Sequence, residues 1–199
     1  MKIKRAMVVV PVLVLVSSFA FGDVIREVIR NQDGTQEVIF YRDGKEVAKE
    51  LIGTDDTVIT TVGKVPDGLV KEFFFDGAVR EEVYYKNGKK EGVAKLYNSK
   101  GVVRGEFNFK KGVQDGLSKT YYDTGELLKE ITFKNGKLEG VNREYAKDGT
   151  LLFEARFKDD EQDGITTVYD PKGGKTVSVY DKGKLVSEKH YDAEGRLKE

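Results

Sequence analysis

Glycine recurs at a fixed interval of 24 residues in two parallel rows, Gly44, Gly68, Gly92, Gly116, Gly140 and Gly164 in one and Gly53, Gly77, Gly101, Gly125, Gly149 and Gly173 in the other. A period of this size means one supersecondary unit copied along the chain, each copy too small to bury an apolar face without its neighbours. Apolar side chains keep the same phase. The residue after the first glycine is Leu69, Val93, Leu117, Val141 or Ile165, and four positions later an aromatic follows: Phe73, Tyr97, Tyr121, Tyr145 or Tyr169. Past the second glycine come Val79, Val103, Leu127 and Leu151, then Val83, Phe107, Ile131 and Ala155, then Tyr85, Phe109, Phe133 and Phe157. These spacings are even, which is the strand period rather than the helical one.

Turn dipeptides mark both ends of each unit. Asp76-Gly77 and Asp148-Gly149 close one end and Asn87-Gly88 and Asn135-Gly136 the other, pairs that tolerate positive φ and suit tight β-connections. Each copy therefore reads as a β-hairpin, and the fold class is all-β, an elongated single-layer antiparallel meander of hairpin repeats. Two registers are open. A three-residue turn ending in the glycine puts all five apolar positions of a copy on one face, whereas a two-residue turn splits them and sets Lys71, Lys95, Lys119 and Arg143 opposite Glu82, Glu106, Glu130 and Glu154. Burial of a further large side chain, at about 1.5 to 3 kcal/mol, outweighs an exposed ion pair at below about 1 kcal/mol, so the one-face register is expected.

The first 22 residues differ from the rest. Lys2, Lys4 and Arg5 precede the apolar run Ala6 to Val16, and Ala20-Phe21-Gly22 supplies small residues before Asp23; the three-part pattern is that of a cleaved secretory signal peptide. The organisation expected is a signal peptide over 1–22, worn hairpins forming a cap over 23–67, the repeat array over 68–187 and a partial repeat over 188–199. Lys45 and Lys49 replace the apolar and aromatic residues of the other copies, and charged, imperfect end units are expected to blunt both strand edges. Without the leader, 31 basic residues stand against 34 acidic ones. That balance gives no drive toward nucleic acid and little toward an anionic membrane. No cysteine is present, so the fold does without disulfides.

From Gly68 to Gly183 the copies resemble the bacterial variant of the MORN repeat, with Tyr121-Tyr122-Asp123-Thr124-Gly125 and Phe133-Lys134-Asn135-Gly136-Lys137-Leu138-Glu139-Gly140 as the best match. The resemblance implies extended hairpin arrays used for protein or membrane contacts, and many bacterial relatives are labelled antitoxin-like. Some phosphatidylinositol phosphate kinases carry such repeats beside a catalytic domain, but no kinase signature occurs here.

Catalytic and cofactor motifs dissolve on inspection. Gly173-Gly174-Lys175-Thr176 imitates the end of a phosphate-binding loop, yet Tyr169 stands where that loop needs its first glycine. The acidic run from Asp159 to Asp163 imitates a calcium loop, but strands rather than helices flank it and Gly164 belongs to the glycine row, so an acidic turn in place of Asn-Gly is the better reading. One histidine, His190, is too few for a His-based zinc site. The chain is expected to be a non-enzyme with no cofactor and no metal, exported to the periplasm or the medium, where it meets an unidentified protein partner. An antitoxin-like or immunity role and peripheral lipid binding are the alternatives. In the one-face register Phe74, Tyr84 and Tyr122 point away from the apolar side, and with Arg80 they are the candidate binding residues; as good strand formers the aromatics also suit ordinary sheet packing.

Overall fold

The computed structural model describes residues 23–198; the signal-peptide reading of residues 1–22 lies outside them. The described chain is all strand and turn. Four strands come first: β1 (Val24–Arg30), β2 (Gln36–Arg42), β3 (Lys45–Ile52) and β4 (Val58–Gly63). Next are β5 (Gly68–Phe73), β6 (Val79–Lys86), β7 (Lys89–Lys90), β8 (Gly92–Tyr97), β9 (Val103–Lys110), β10 (Val113–Gln114) and β11 (Gly116–Tyr121). The remainder are β12 (Leu127–Lys134), β13 (Lys137–Leu138), β14 (Gly140–Tyr145), β15 (Leu151–Lys158), β16 (Glu161–Tyr169), β17 (Lys175–Asp181) and β18 (Lys184–Tyr191). All eighteen belong to one sheet. It is an antiparallel meander, with one parallel contact where Val24 and Ile25 of β1 meet Val70 and Lys71 of β5.

Each repeat uses two kinds of turn. Asn87-Gly88 has φ of 52° and 71°, and Lys111-Gly112, Asn135-Gly136, Asp159-Asp160 and Lys182-Gly183 repeat that pair of positive values, the signature of a type I′ hairpin. Asp159-Asp160 is thus the acidic turn expected from the sequence. At the other end the Gly77 N–H donates to the Phe74 carbonyl and the Phe74 N–H to the Ala78 carbonyl, with Gly77 at φ 86°, which is a three-residue turn with a glycine bulge.

The three-residue turn is as expected, but its consequence is not. A second bulge follows at once: Phe73 pairs with Val79 while Glu72 pairs with Glu81, leaving Arg80 as the extra residue. Arg104, Leu128 and Leu152 are extra in the same way in later copies. The bulge shifts register by one, so Lys71, Lys95, Lys119 and Arg143 do face Glu82, Glu106, Glu130 and Glu154. Because side chains alternate across a strand, the five apolar positions divide: Val83 and Tyr85 share one face with Val70, whereas Leu69, Phe73 and Val79 lie on the other. The one-face expectation fails for this reason.

The glycine rows also mislead at the N-terminal end. Gly44 sits in a type I′ turn behind Asp43 (φ 51°), the role that Gly88 plays later, and in the turn after β3 the left-handed position is held by Asp56 (φ 60°), not Gly53. The first hairpins are out of structural phase despite the numerical interval. Lys49 accordingly does not replace a core aromatic and instead pairs with Glu37 at 2.8 Å.

These hairpins supply much of the core. Val24, Val38, Phe40, Ala48 and Val65 are buried against Val70, Val83, Tyr85 and Ala94, with Phe107 and Phe109 at the margin. The Phe40 and Tyr85 rings meet edge-on, centroids 5.6 Å apart, although β2 and β6 are not neighbours in the sheet. The N-terminal strands therefore fold over the first array hairpin. Beside the core, the Arg26 guanidinium binds Glu72 at 2.8 Å and also Glu81, while Arg80 and Lys90 reach the same two carboxylates. Further along, the positions of Val70 and Ala94 are taken by Ser118, Asn142 and Thr166, all buried. The apolar core thins into a small polar spine, in which Asn142 Oδ1 accepts the Thr132 N–H at 2.9 Å.

The two sheet edges differ. β18 carries Lys184, Glu188 and Lys189, as expected of a blunted edge. β4 is Val-Ile-Thr-Thr-Val-Gly, uncharged and exposed throughout, so the charge protection expected at both ends is present at only one.

Candidate interaction surface

On the face away from the core, a hydrogen-bonded zipper runs across the repeats. Lys95 Nζ lies 3.7 Å from Glu106, Lys119 Nζ 3.3 Å from Glu130 and Arg143 Nε 2.7 Å from Glu154. The tyrosine of the following copy donates to the carboxylate of the copy before it: Tyr97 to Glu82 at 3.0 Å, Tyr121 to Glu106 at 3.0 Å and Tyr145 to Glu130 at 3.1 Å. Partial burial, then the hydrogen bond and charge of the carboxylate, push the Tyr97 and Tyr121 phenols up to about 12 and raise Tyr145 in the same direction. Tyr97, Tyr121 and Tyr145 thus tie their hairpins to the ones before.

A second tie links copies at the type I′ turns. The acidic residue before the first-row glycine accepts the backbone N–H of the turn twenty residues later: Asp67 from Asn87, Glu91 from Lys111, Asp115 from Asn135 and Glu139 from Asp159, at 2.7 to 3.3 Å. Its signal in the sequence is an acid before every such glycine from Asp67 to Asp163.

Between these ties lies an apolar row in solvent. Leu69, Val93, Leu117 and Ile165 are 46, 46, 39 and 59 % exposed, and Tyr84, directly opposite Leu69, is 48 % exposed. Neighbouring strands stand about 4.8 Å apart, so row members in adjacent copies are on the order of 10 Å apart; Val141, at the same position between Leu117 and Ile165, is half-buried.

The four residues singled out from the sequence do not converge. Tyr84 joins the exposed row. Arg80 is the bulge residue and reaches Glu72 on the opposite face; Phe74 is half-buried and closes the turn through its backbone. Tyr122 is half-buried, and its hydroxyl donates to the Tyr145 carbonyl at 2.9 Å, so it ties repeats together rather than standing free. Leu69, Val93, Leu117 and Ile165, which the one-face register would bury, stand in solvent because of the second bulge. Among the described residues no three His, Asp or Glu side chains group as metal ligands, and no helix is long and apolar enough to cross a membrane. His190 lies on β18 with Nδ1 2.9 Å from Thr176 Oγ1.

A sheet of tandem hairpins, each fastened to the next by recurring side-chain ties and presenting a periodic face, defines a β-repeat protein. Three consecutive copies, residues 66–87, 90–111 and 114–135, match the family described as MORN repeat variant, so the chain carries MORN repeats. No curated protein matches the chain. Among solved structures, the crystal structure of accessory secretory protein 1,2 and 3 in Streptococcus pneumoniae is similar at 13 % identity over 84 % of this chain and 23 % of that one. The TM-score is 0.17, too low for the overlap to speak for shared architecture or role.

Proposed function

We propose that this protein is an exported, non-enzymatic scaffold whose repeat sheet binds another protein through the face carrying Leu69, Tyr84, Val93, Leu117 and Ile165. The observation that supports this reading is the exposed apolar row itself. Apolar side chains placed at one position of successive copies and left in solvent do not serve the core, and a row of them rimmed by polar side chains is what a binding surface requires. The zipper of Tyr, Glu and Lys on the same face holds the row in place before any partner arrives, which lowers the ordering cost of association. Export rests on the basic, apolar and small-residue pattern of residues 1–22.

The test is a photo-crosslinking amino acid at Leu117, compared with one at Lys129, which the pairing register sets on the opposite face. The expected result, in the cell envelope or medium of the source organism, is one discrete adduct from position 117 and none from 129. No adduct from 117, or equal adducts from both, would refute the reading.

A further inference from the structure

We propose that β4 pairs antiparallel with the β4 of a second copy of this chain, joining two sheets into a closed two-fold dimer. Among the described residues β4 is hydrogen-bonded only to β3, so along its other side the backbone meets no strand. All six of its residues are exposed, including Val58, Ile59 and Val62 at 52, 54 and 67 %. A β-branched, uncharged edge is a template for another strand, and chains that avoid such pairing place charge or proline there. This chain does so at β18 and not at β4.

The occupant follows from symmetry and charge. In an antiparallel ladder hydrogen-bonded and non-hydrogen-bonded pairs alternate, so a two-fold axis must run through a residue paired with its own copy. Thr60 and Thr61 are the two central residues of β4. Pairing about Thr61 sets Thr61 against Thr61 and Thr60 against Val62. Pairing about Thr60 sets Thr60 against Thr60, Ile59 against Thr61 and Val58 against Val62. Thr–Thr and β-branched contacts are favourable cross-strand pairs, and in neither register does a charge oppose a charge. Pairing of β4 with the β18 of another copy would instead bring Lys184, Glu188 and Lys189 against an uncharged strand that offers them no counter-charge. Self-pairing uses up both neutral edges and leaves two charged ones outside, so growth stops at two copies. A six-residue contact is far smaller than the roughly 1,200 Å² of a tight interface, which makes the dimer weak and reversible.

The test is sedimentation equilibrium of the chain from residue 23 onward over a wide concentration series, with two variants. Wild type is expected to pass reversibly from monomer to dimer and no further. Thr61→Lys, which sets two lysines directly opposite each other in the register about Thr61 and diagonal to each other in the register about Thr60, is expected to abolish the dimer with an unchanged circular dichroism spectrum, while Val186→Lys on β18 leaves it intact. A wild type that stays monomeric throughout, a dimer that survives Thr61→Lys, or open-ended oligomers would overturn the proposal.

Discussion

Glu106 is the most informative single perturbation, because it accepts the Tyr121 hydroxyl of the next copy at 3.0 Å and faces Lys95 of its own at 3.7 Å. The tyrosine bond spans two hairpins in a half-exposed site, so its net worth is about 1 kcal/mol, and the loosely spaced ion pair adds less than about 1. Glu106→Ala should therefore cost about 1.5 kcal/mol, and a double-mutant cycle with Tyr121→Phe should return a coupling near 1 kcal/mol in urea unfolding followed by circular dichroism. A second readout is spectroscopic. The chain has ten tyrosines and no tryptophan, so phenolate absorbance reports tyrosine alone. The folded Tyr121 phenol is raised from 10.0 to about 12, which means that the unfolded chain ionises first and stability drains as pH climbs through that window. Removing Glu106 takes away the hydrogen-bond and charge contributions but leaves the larger one from burial. One phenol should then titrate earlier, and the alkaline loss of stability should become shallower. A coupling below about 0.3 kcal/mol together with an unchanged titration would refute the claim that these residues join the repeats.

Three further outcomes are expected. Gly149→Ala, at φ 86° with no heavy atom within 4 Å of the added carbon, meets backbone strain alone and should lower stability by about 1 to 2 kcal/mol, whereas Asp56→Gly, at φ 60°, should not lower it; urea midpoints decide both. Glu72→Ala removes one of the two carboxylates on the buried Arg26, which keeps Glu81, and should cost about 1.5 to 3 kcal/mol by the same assay. Burial raises the Glu50 carboxyl above its usual range despite Arg26 and Lys90 nearby, so its ionisation opposes folding: Glu50→Gln should gain on wild type as pH rises above the ordinary carboxylate range and lose that advantage as pH falls below it.

Much of the architecture was legible because it is written at fixed intervals. Asn-Gly at 87–88 and 135–136 and the glycine that ends the three-residue turns of the array follow from local backbone chemistry and take the form expected, as does the strand period of the apolar residues, though not the face they share. The second bulge was not legible. The extra residue is arginine in two copies (Arg80, Arg104) and leucine in two (Leu128, Leu152), and the bulge needs no glycine, so no single residue type marks it; yet it alone decides which face Leu69 and Tyr84 occupy. The energetic comparison that favoured one face treated burial and the charge ladder as exclusive. The bulge delivers the ladder, Lys71 meeting Glu82, and divides the apolar positions, so that Val83 and Tyr85 are buried while Leu69 is left exposed. At the N-terminal end the numerical glycine period outlived its structural meaning, so Gly44 and Gly53 looked like repeat members while Asp43 and Asp56 carried the positive φ beside them. Of the candidate residues, Tyr84 lies in the exposed row, and no residue type in the sequence separates the aliphatic members of that row from core positions.

The most direct measurement is the yield of adduct from a photo-crosslinker at Tyr84 in a chain carrying Leu69→Ser, Val93→Ser and Leu117→Ser together. If the row binds a partner and takes no part in the core, the adduct disappears while the circular dichroism spectrum is unchanged and the urea midpoint moves little. Persistence of the adduct, or unfolding on the scale of three buried truncations at about 2 to 5 kcal/mol each, would contradict the account.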